Sequence, residues 1–406
     1  MKSLRNSLGL LGALAALAAC EQIIGLEDRV LVEDASVAPT EDTQLCKRYC
    51  DDVMAACSET DNDAYTSKDN CLAMCAFMPQ GKSDASDTSK NTASCRANAA
   101  RQARNLEGDP KQCVAAAPGG GSSSDNPRCG DICESYCGLY DAICSDSKQA
   151  NCLAKCRALP DTSKYDAETD YRMVNDTIQC RMAHLNAAAQ GKRDDDDSIR
   201  TTHCGHAVLR ASLASGVPCD LPDGTTPSCK DYCKLVTHSC SANKVYDSAE
   251  QCEQFCENGL VKGTNTYEEM VDGQKMVKQD VDKDTLACRR WHAYFAFGDA
   301  SMAAVHCKHS GPTGDGHCGK NCNVYCPMLE RGCKDQFAKE FPGGQSACLT
   351  ACKAFPGVQD AEMGYSVDSE EARTNTLQCR FRHLVDVFNG MPSSCDRAFL
   401  KGTCSH

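Results

Sequence analysis

The sequence predicts an all-α chain of four tandem, small, disulfide-stapled helical repeats with little or no sheet, and three observations carry that expectation. The pattern Cys-x2-Tyr-Cys-x6-Cys occurs four times, beginning at Cys46, Cys133, Cys229 and Cys322. From Cys46 onward the cysteines fall into four groups of eight with the same order of fixed and variable gaps. No apolar/polar alternation is long enough to propose a sheet. At 100° per residue the three cysteines of the pattern lie at about 0°, 40° and 20°, one narrow stripe of a helix. Val53, Tyr140, Val236 and Leu329 continue the same stripe.

The first octet is Cys46, Cys50, Cys57, Cys71, Cys75, Cys95, Cys113 and Cys129. The second is Cys133, Cys137, Cys144, Cys152, Cys156, Cys180, Cys204 and Cys219. The third is Cys229, Cys233, Cys240, Cys252, Cys256, Cys288, Cys307 and Cys318. The last is Cys322, Cys326, Cys333, Cys348, Cys352, Cys379, Cys395 and Cys404. Gaps of fixed size belong to helices and variable gaps to loops, and such self-similarity marks a repeat protein. The repeats occupy 46–129, 130–219, 229–318 and 319–406, with 220–228 as a linker. Only three residues part the first octet from the second and the third from the fourth, which suggests two tight pairs with a bend between them.

Within a repeat, a second Cys-x3-Cys sits in a short apolar segment, as in Cys71-Leu-Ala-Met-Cys75. Ser248-Ala-Glu-Gln251 offers a capping box before Cys252, and Pro79, Pro160, Gly259 and Pro356 stop the segment. A third helix starts at a repeated Asx-Thr pair: Asn91-Thr92, Asp176-Thr177, Asp284-Thr285 and Asn375-Thr376. These are good N-caps, and the sixth cysteine follows three residues after each Thr. Arg96, Arg181, Arg289 and Arg380 come directly after that cysteine. The last two cysteines of a repeat lie in Gly-rich or irregular sequence.

Eight cysteines allow 105 pairings. Two antiparallel helices that each carry Cys-x3-Cys match in rise, about 6 Å on both. That favours first-with-fifth and second-with-fourth bridges and leaves the third cysteine for the third helix, with third-with-fourth as the rival.

Thirty-three cysteines in 406 residues, with only 6% aromatics, make cross-links the main support for an exported chain. Residues 1–19 carry Lys2, Arg5 and a short apolar run ending in small residues, the form of an export signal too short to span a bilayer. Leu17-Ala18-Ala19-Cys20 resembles a bacterial lipobox, which implies lipidation of Cys20 and leaves an even 32 cysteines. Several acyl chains, palmitate among them, would hold the protein on a membrane. Residues 20–45 then read as the lipidated cysteine and an acidic tether. Glu21 rather than Asp after the cysteine favours the outer membrane. A net charge of −13 argues against nucleic acid as a partner.

The chemical candidates are few. His184 and His292 stand four residues after the sixth cysteine, as does His383, and His203, His206, His306 and His309 flank the seventh. If the sixth and seventh cysteines bond, each middle repeat gathers three imidazoles suited to Zn²⁺ or Cu²⁺. The first repeat has Ala99 and Gln112 at these places and the last has Ser394. Cys-x2-Cys occurs nowhere, so zinc ribbons and thioredoxin-type pairs are excluded. Hydrolase and P-loop motifs are missing, and Gly314-x-Gly316-x-x-Gly319 contains Cys318 and follows no strand, so it reads as a disulfide-pinned turn. Asp280, Asp282 and Asp284 alternate like a calcium loop but lack its Gly and Glu, and Asp194 to Asp197 read as a solvated loop.

The order Cys-x3-Cys-x6-Cys, Cys-x3-Cys, Thr-x2-Cys-Arg-x2-His, His-Cys-x-His resembles cysteine-rich repeat lipoproteins of myxobacterial-type bacteria over residues 46–404. The resemblance implies an exported scaffold and no catalytic activity. The expected function is a non-catalytic lipoprotein with a binding or structural role in the cell envelope, without a cofactor, facing a protein or glycan partner. The alternative is a metal-binding or redox-buffering protein that uses the histidines of the middle repeats.

Overall fold

The computed structural model describes residues 43–404 apart from 59–62, 83–89, 122–128, 163–164, 173–175, 210–217, 221–223, 272–273, 281, 298–299, 356–357, 359–363, 370–373 and 401–403. The export signal, Cys20 and nearly all of the acidic tether lie outside the described residues, as do Pro356 and part of the 220–228 linker.

The first repeat comprises α1 (Gln44–Ala56), α2 (Lys68–Cys75), α3 (Ala93–Asn105) and α4 (Pro110–Ala116). The second comprises α5 (Ile132–Ile143), α6 (Cys152–Ala158), a short α7 (Ala167–Arg172), α8 (Ile178–Arg193) and α9 (Asp197–Ala207). The third has α10 (Cys229–Ser239), α11 (Ala249–Gly259), the strands β1 (Thr266–Val271) and β2 (Gln274–Gln279), then α12 (Leu286–Phe295) and α13 (Ala300–Ser310). The fourth has α14 (Asn321–Gly332), α15 (Lys334–Glu340), α16 (Gly344–Lys353), α17 (Leu377–Phe388) and α18 (Cys395–Ala398).

The helix starts follow from capping chemistry. Thr92, Thr177, Thr285 and Thr376 are the N-caps of α3, α8, α12 and α17, and each hydroxyl accepts the amide of the sixth cysteine at 3.1–3.2 Å. Ser248 caps α11 by accepting the Gln251 amide, while the Gln251 side chain returns to the Asp247 amide rather than to Ser248. The segment around the seventh cysteine, expected to be irregular, is helical in every repeat, and apart from the short α7 and α15 it forms each repeat's fourth helix: α4, α9, α13 and α18. Asp109 and Pro110 start it in the first repeat and Asp196 starts it in the second. Helices α4 and α18, of 7 and 4 residues, are too short for apolar periodicity to reveal them.

The hairpin β1–β2 is antiparallel, in register from Thr266↔Gln279 to Val271↔Gln274, and is the one sheet among the described residues. Its sequence signal was the Asp272-Gly273 dipeptide, a hairpin turn pair.

All 32 cysteines from Cys46 to Cys404 are bridged, with one pairing repeated four times. The first joins the fifth (Cys46–Cys75, Cys133–Cys156, Cys229–Cys256, Cys322–Cys352) and the second joins the fourth (Cys50–Cys71, Cys137–Cys152, Cys233–Cys252, Cys326–Cys348). These are the two rungs expected between antiparallel helices. The third joins the seventh (Cys57–Cys113, Cys144–Cys204, Cys240–Cys307, Cys333–Cys395) and the sixth joins the eighth (Cys95–Cys129, Cys180–Cys219, Cys288–Cys318, Cys379–Cys404). The third cysteine therefore reaches the fourth helix, not the third, and the sixth-with-seventh bond does not form. The reason is the fourth helix, which lies against the C-terminal end of the first and presents its cysteine there. Every bridge stays within its own repeat. Disulfides of this number form and persist in oxidising surroundings.

The arginine after the sixth cysteine is the largest buried side chain of each repeat, at most 1% exposed. Arg96 Nε donates to Ala117 O, Nη1 to Thr92 O and Nη2 to Pro118 O. Arg289 and Arg380 make the same three bonds to Gly311, Thr285 and Pro312, and to Phe399, Thr376 and Leu400. Arg181 bonds Val208 and Thr177 and turns its Nη2 to Tyr294. The Asx residue before the Thr cap faces the same guanidinium: Asp176 at 2.8 Å, Asp284 at 2.9 Å, Asn375 at 2.8 Å, and Asn91 through the Ser135 hydroxyl. The tyrosine of the founding pattern completes the brace. The hydroxyls of Tyr49, Tyr136, Tyr232 and Tyr325 donate to Ala116, Ala207, Ser310 and Ala398 at the end of the fourth helix.

Adjacent repeats pack directly, α2 on α8, α6 on α10 and α11 on α17. Between the second and third repeats, where the spacing suggests a hinge or bend, lies a buried contact. Asp176 receives Arg181, Arg290 and the Tyr294 hydroxyl, and Arg181 Nη2 lies 3.0 Å from that hydroxyl.

Two outcomes are expected. Non-reducing peptide mapping should recover the first–fifth, second–fourth, third–seventh and sixth–eighth bonds in all four repeats and no bond between repeats. Arg96→Leu should lower the thermal unfolding midpoint by the equivalent of about 3 kcal/mol, because three buried carbonyls lose their donors.

Candidate metal centres in the middle repeats

In the second repeat, α8 carries His184 one turn past Cys180, so its imidazole packs on the Cys180–Cys219 bridge. Helix α9 returns antiparallel along α8 and is held by Cys144–Cys204. His203 and His206, three apart on α9, share the face turned to His184. The return is tight. Asp194 to Asp197, read as a solvated loop, form the turn and the cap: Asp195 takes φ 53° and Asp196 accepts the amides of Ser198 and Ile199. Gly191 lets the helices touch, since a Cβ there would sit 2.6 Å from Arg200 N.

One ring nitrogen from each of His184, His203 and His206 lies within 4.8 Å of the others. The Nδ1 atoms of His184 and His203 are 2.9 Å apart, and the His206 ring stands edge-on to His184 at 4.9 Å between centroids. His184 Nε2 and His206 Nδ1 are buried and have no hydrogen-bond partner. A buried polar atom left so costs about 1–3 kcal/mol. Burial first, then His206, His203 and Arg181, push the His184 pKa down to about 3. Burial also lowers those of His203 and His206, with His206 adding to the shift at His203. The three rings are therefore neutral near pH 7, the state in which imidazole binds a metal.

The third repeat repeats the arrangement. His292 packs on Cys288–Cys318, its Nδ1 lies 2.8 Å from His306 Nδ1, and His309 stands edge-on to it at 4.8 Å. A fourth imidazole joins, from His317, whose ring lies 4.0 Å from that of His309. His292, His309 and His317 are the three that bring one nitrogen each within 4.8 Å. His317 escaped the sequence reading because its place depends on the bond of Cys288 to Cys318, not to Cys307. Its only sequence signal is adjacency to the eighth cysteine.

The trio expected in the second repeat thus comes together, through the antiparallel return of the fourth helix and not a sixth–seventh bond, whereas in the third repeat His317 takes the place expected for His306, which meets His292 outside the close set. In the last repeat His383 also packs on its bridge, Cys379–Cys404, and its Nδ1 lies 3.4 Å from the Asp386 carboxylate. Ser394 and Arg397 stand where the second and third imidazoles would be, so the trio is not built there. The bridge sulfurs near these rings carry no thiolate and cannot act as thiolate ligands.

The other candidates resolve into structure. Asp280 accepts the Thr285 hydroxyl at 2.6 Å and the Lys283 amide at 3.2 Å, and Asp284 pairs with Arg289. Gly314, Gly316 and Gly319 all have positive φ, and the Cys318 amide donates to Gly314 O, a turn pinned by its disulfide.

Residues 225–321 match the BfoA family C-terminal domain. The third repeat is similar to that domain. The matched segment starts four residues before Cys229 and ends three after Cys318, so it takes in the whole third octet. No curated protein and no solved structure matches the chain.

Gly191→Ala should force α8 and α9 apart and lower the unfolding midpoint of the second repeat by the equivalent of about 1–3 kcal/mol. Gly138→Ala, at an exposed position inside α5 with nothing near the added carbon, is the control and should raise the midpoint slightly, by the equivalent of about 0.5–1 kcal/mol.

Proposed function

We propose that this chain is a non-catalytic, exported bacterial lipoprotein that holds a rigid, protease-resistant surface in the cell envelope, on the outer membrane, for a protein or glycan partner. The observation that carries this reading is the closure of all 32 cysteines from Cys46 to Cys404 within their own repeats. What all four repeats share is the ladder of bridges, the buried arginine and the tyrosine brace. Those features stabilise shape and offer no nucleophile. Buried thiols already oxidised cannot serve a catalytic or buffering cycle without a reductant.

Among the described residues no helix is long and apolar enough to cross a membrane. Attachment in this reading rests on acylation of Cys20, because a chain of charge −13 gains nothing from an anionic lipid surface.

Palmitate labelling of the full chain in a bacterial host tests the anchor. The wild type should carry label and sediment with membranes, and Cys20→Ala should lose both. A Cys20→Ala protein that still sediments with membranes would show that something other than the acyl group attaches it. Trypsin treatment tests the scaffold: the unreduced protein should resist, and prior reduction should abolish the resistance.

A further inference from the structure

The four repeats contain their own comparison. All four build the same third and fourth helices with the same third–seventh and sixth–eighth bridges. Only the middle two line the seam between those helices with more than one imidazole. The first repeat fills the same seam with Ala99, Gln112 and Ala115 and closes equally well, with both alanines and Gln112 buried. The histidines are therefore not needed to fold the seam.

We propose that the second and third repeats each bind one late first-row divalent ion, Zn²⁺ or Cu²⁺, through His184, His203 and His206 and through His292, His309 and His317. This goes beyond a scaffold role, since it assigns a chemistry to two repeats out of four.

The geometry is close to that of a filled site. Nitrogens on a tetrahedral ion at about 2.0–2.1 Å from the metal lie roughly 3.3 Å from one another. The ring nitrogens here lie within 4.8 Å of one another, with the His184–His203 pair at 2.9 Å, so small ring rotations reach that spacing. His184 Nε2 and His206 Nδ1, buried without a hydrogen bond, are lone pairs or N–H groups that the protein itself does not satisfy. In the third repeat His306 contacts His292 at 2.8 Å and acts as the positioning residue that orients it.

The donor set selects the ion. Imidazoles without a carboxylate or a free thiolate disfavour Ca²⁺ and Mg²⁺ and suit Zn²⁺ and Cu²⁺. Both helices of each seam are covalently held, by Cys144–Cys204 and Cys180–Cys219 in one repeat and by Cys240–Cys307 and Cys288–Cys318 in the other. The ligands are thus preorganised, and binding orders little that is not already ordered.

The chain carries its own reporter. Trp291 is the single tryptophan, and its ring lies 4.9 Å from His292 and 6.2 Å from His306. A paramagnetic ion in the third repeat should quench its fluorescence, and an ion in the second repeat is reported only by stoichiometry.

The test uses the detergent-solubilised full chain, washed with chelator and dialysed against micromolar Zn²⁺ or, separately, Cu²⁺, with bound metal measured by elemental analysis. Two ions per chain are expected. His206→Ala should leave one and keep the Cu²⁺ quenching of Trp291, whereas His317→Ala should weaken the quenching at least about tenfold. The double variant should bind none. His206 is half-buried and His317 exposed, so neither change threatens the fold, and circular dichroism confirms it. Less than one ion per chain in the wild type, or two ions retained by the double variant, overturns the proposal. Loss of an ion in only one of the single variants overturns the assignment in the other repeat.

Discussion

The bond from the third cysteine of each repeat to the seventh is the constraint on which the rest of the structure depends. The rungs between the first two helices are short-range, closing 15–30 residues, and make only a stapled hairpin. The third–seventh bond closes 56–67 residues and brings the fourth helix to the C-terminal end of the first. On the chain-entropy account a loop of that length contributes about 4 kcal/mol, the largest share of any bridge in the repeat. It also decides the seam between the third and fourth helices. The imidazoles of the second repeat lie along that seam.

A repeat of under 100 residues with few aromatics has a small apolar core, and its centre is accordingly polar. A guanidinium occupies it, with its donors spent on carbonyls of the third helix cap and of the strand of chain leaving the fourth helix. Arginine suits the place because its planar fork spreads its donors over three nitrogens and reaches carbonyls set well apart, whereas an ammonium donates from a single nitrogen. Burial lowers the pKa of Arg96 and Arg380, where the facing Asx residue is Asn and supplies no charge. In the middle repeats the Asx residue is Asp and the charge is balanced. Asp176 also takes Arg290 from the next repeat, so the brace of the second repeat doubles as its junction with the third.

The same seam carries either packing or chemistry according to three positions. Alanine and glutamine fill it in the first repeat. In the last, one histidine leans on its disulfide beside a carboxylate. In the middle two, several imidazoles converge. The scaffold tolerates all of these because the bridges, not the seam residues, hold the helices together. This separation of a covalent frame from a variable lining is what allows one repeat to be specialised without refolding.

Much of this was legible in the residues alone. The stripe of cysteines, the repeat boundaries, the Thr caps of α3, α8, α12 and α17 and the two rungs between the first helices all follow from local geometry, because rise and turn per residue are properties of a few consecutive positions. The fourth helices, the partners of the third and sixth cysteines, the burial of Arg96 and its counterparts and the arrival of His317 beside His309 could not be read so. Each depends on which distant segment lies against which, across loops whose lengths differ in every repeat, and no local period records that choice. The sequence by itself determined four helical octets in an oxidising setting. The tertiary structure decided which sulfurs meet and, through them, which imidazoles do.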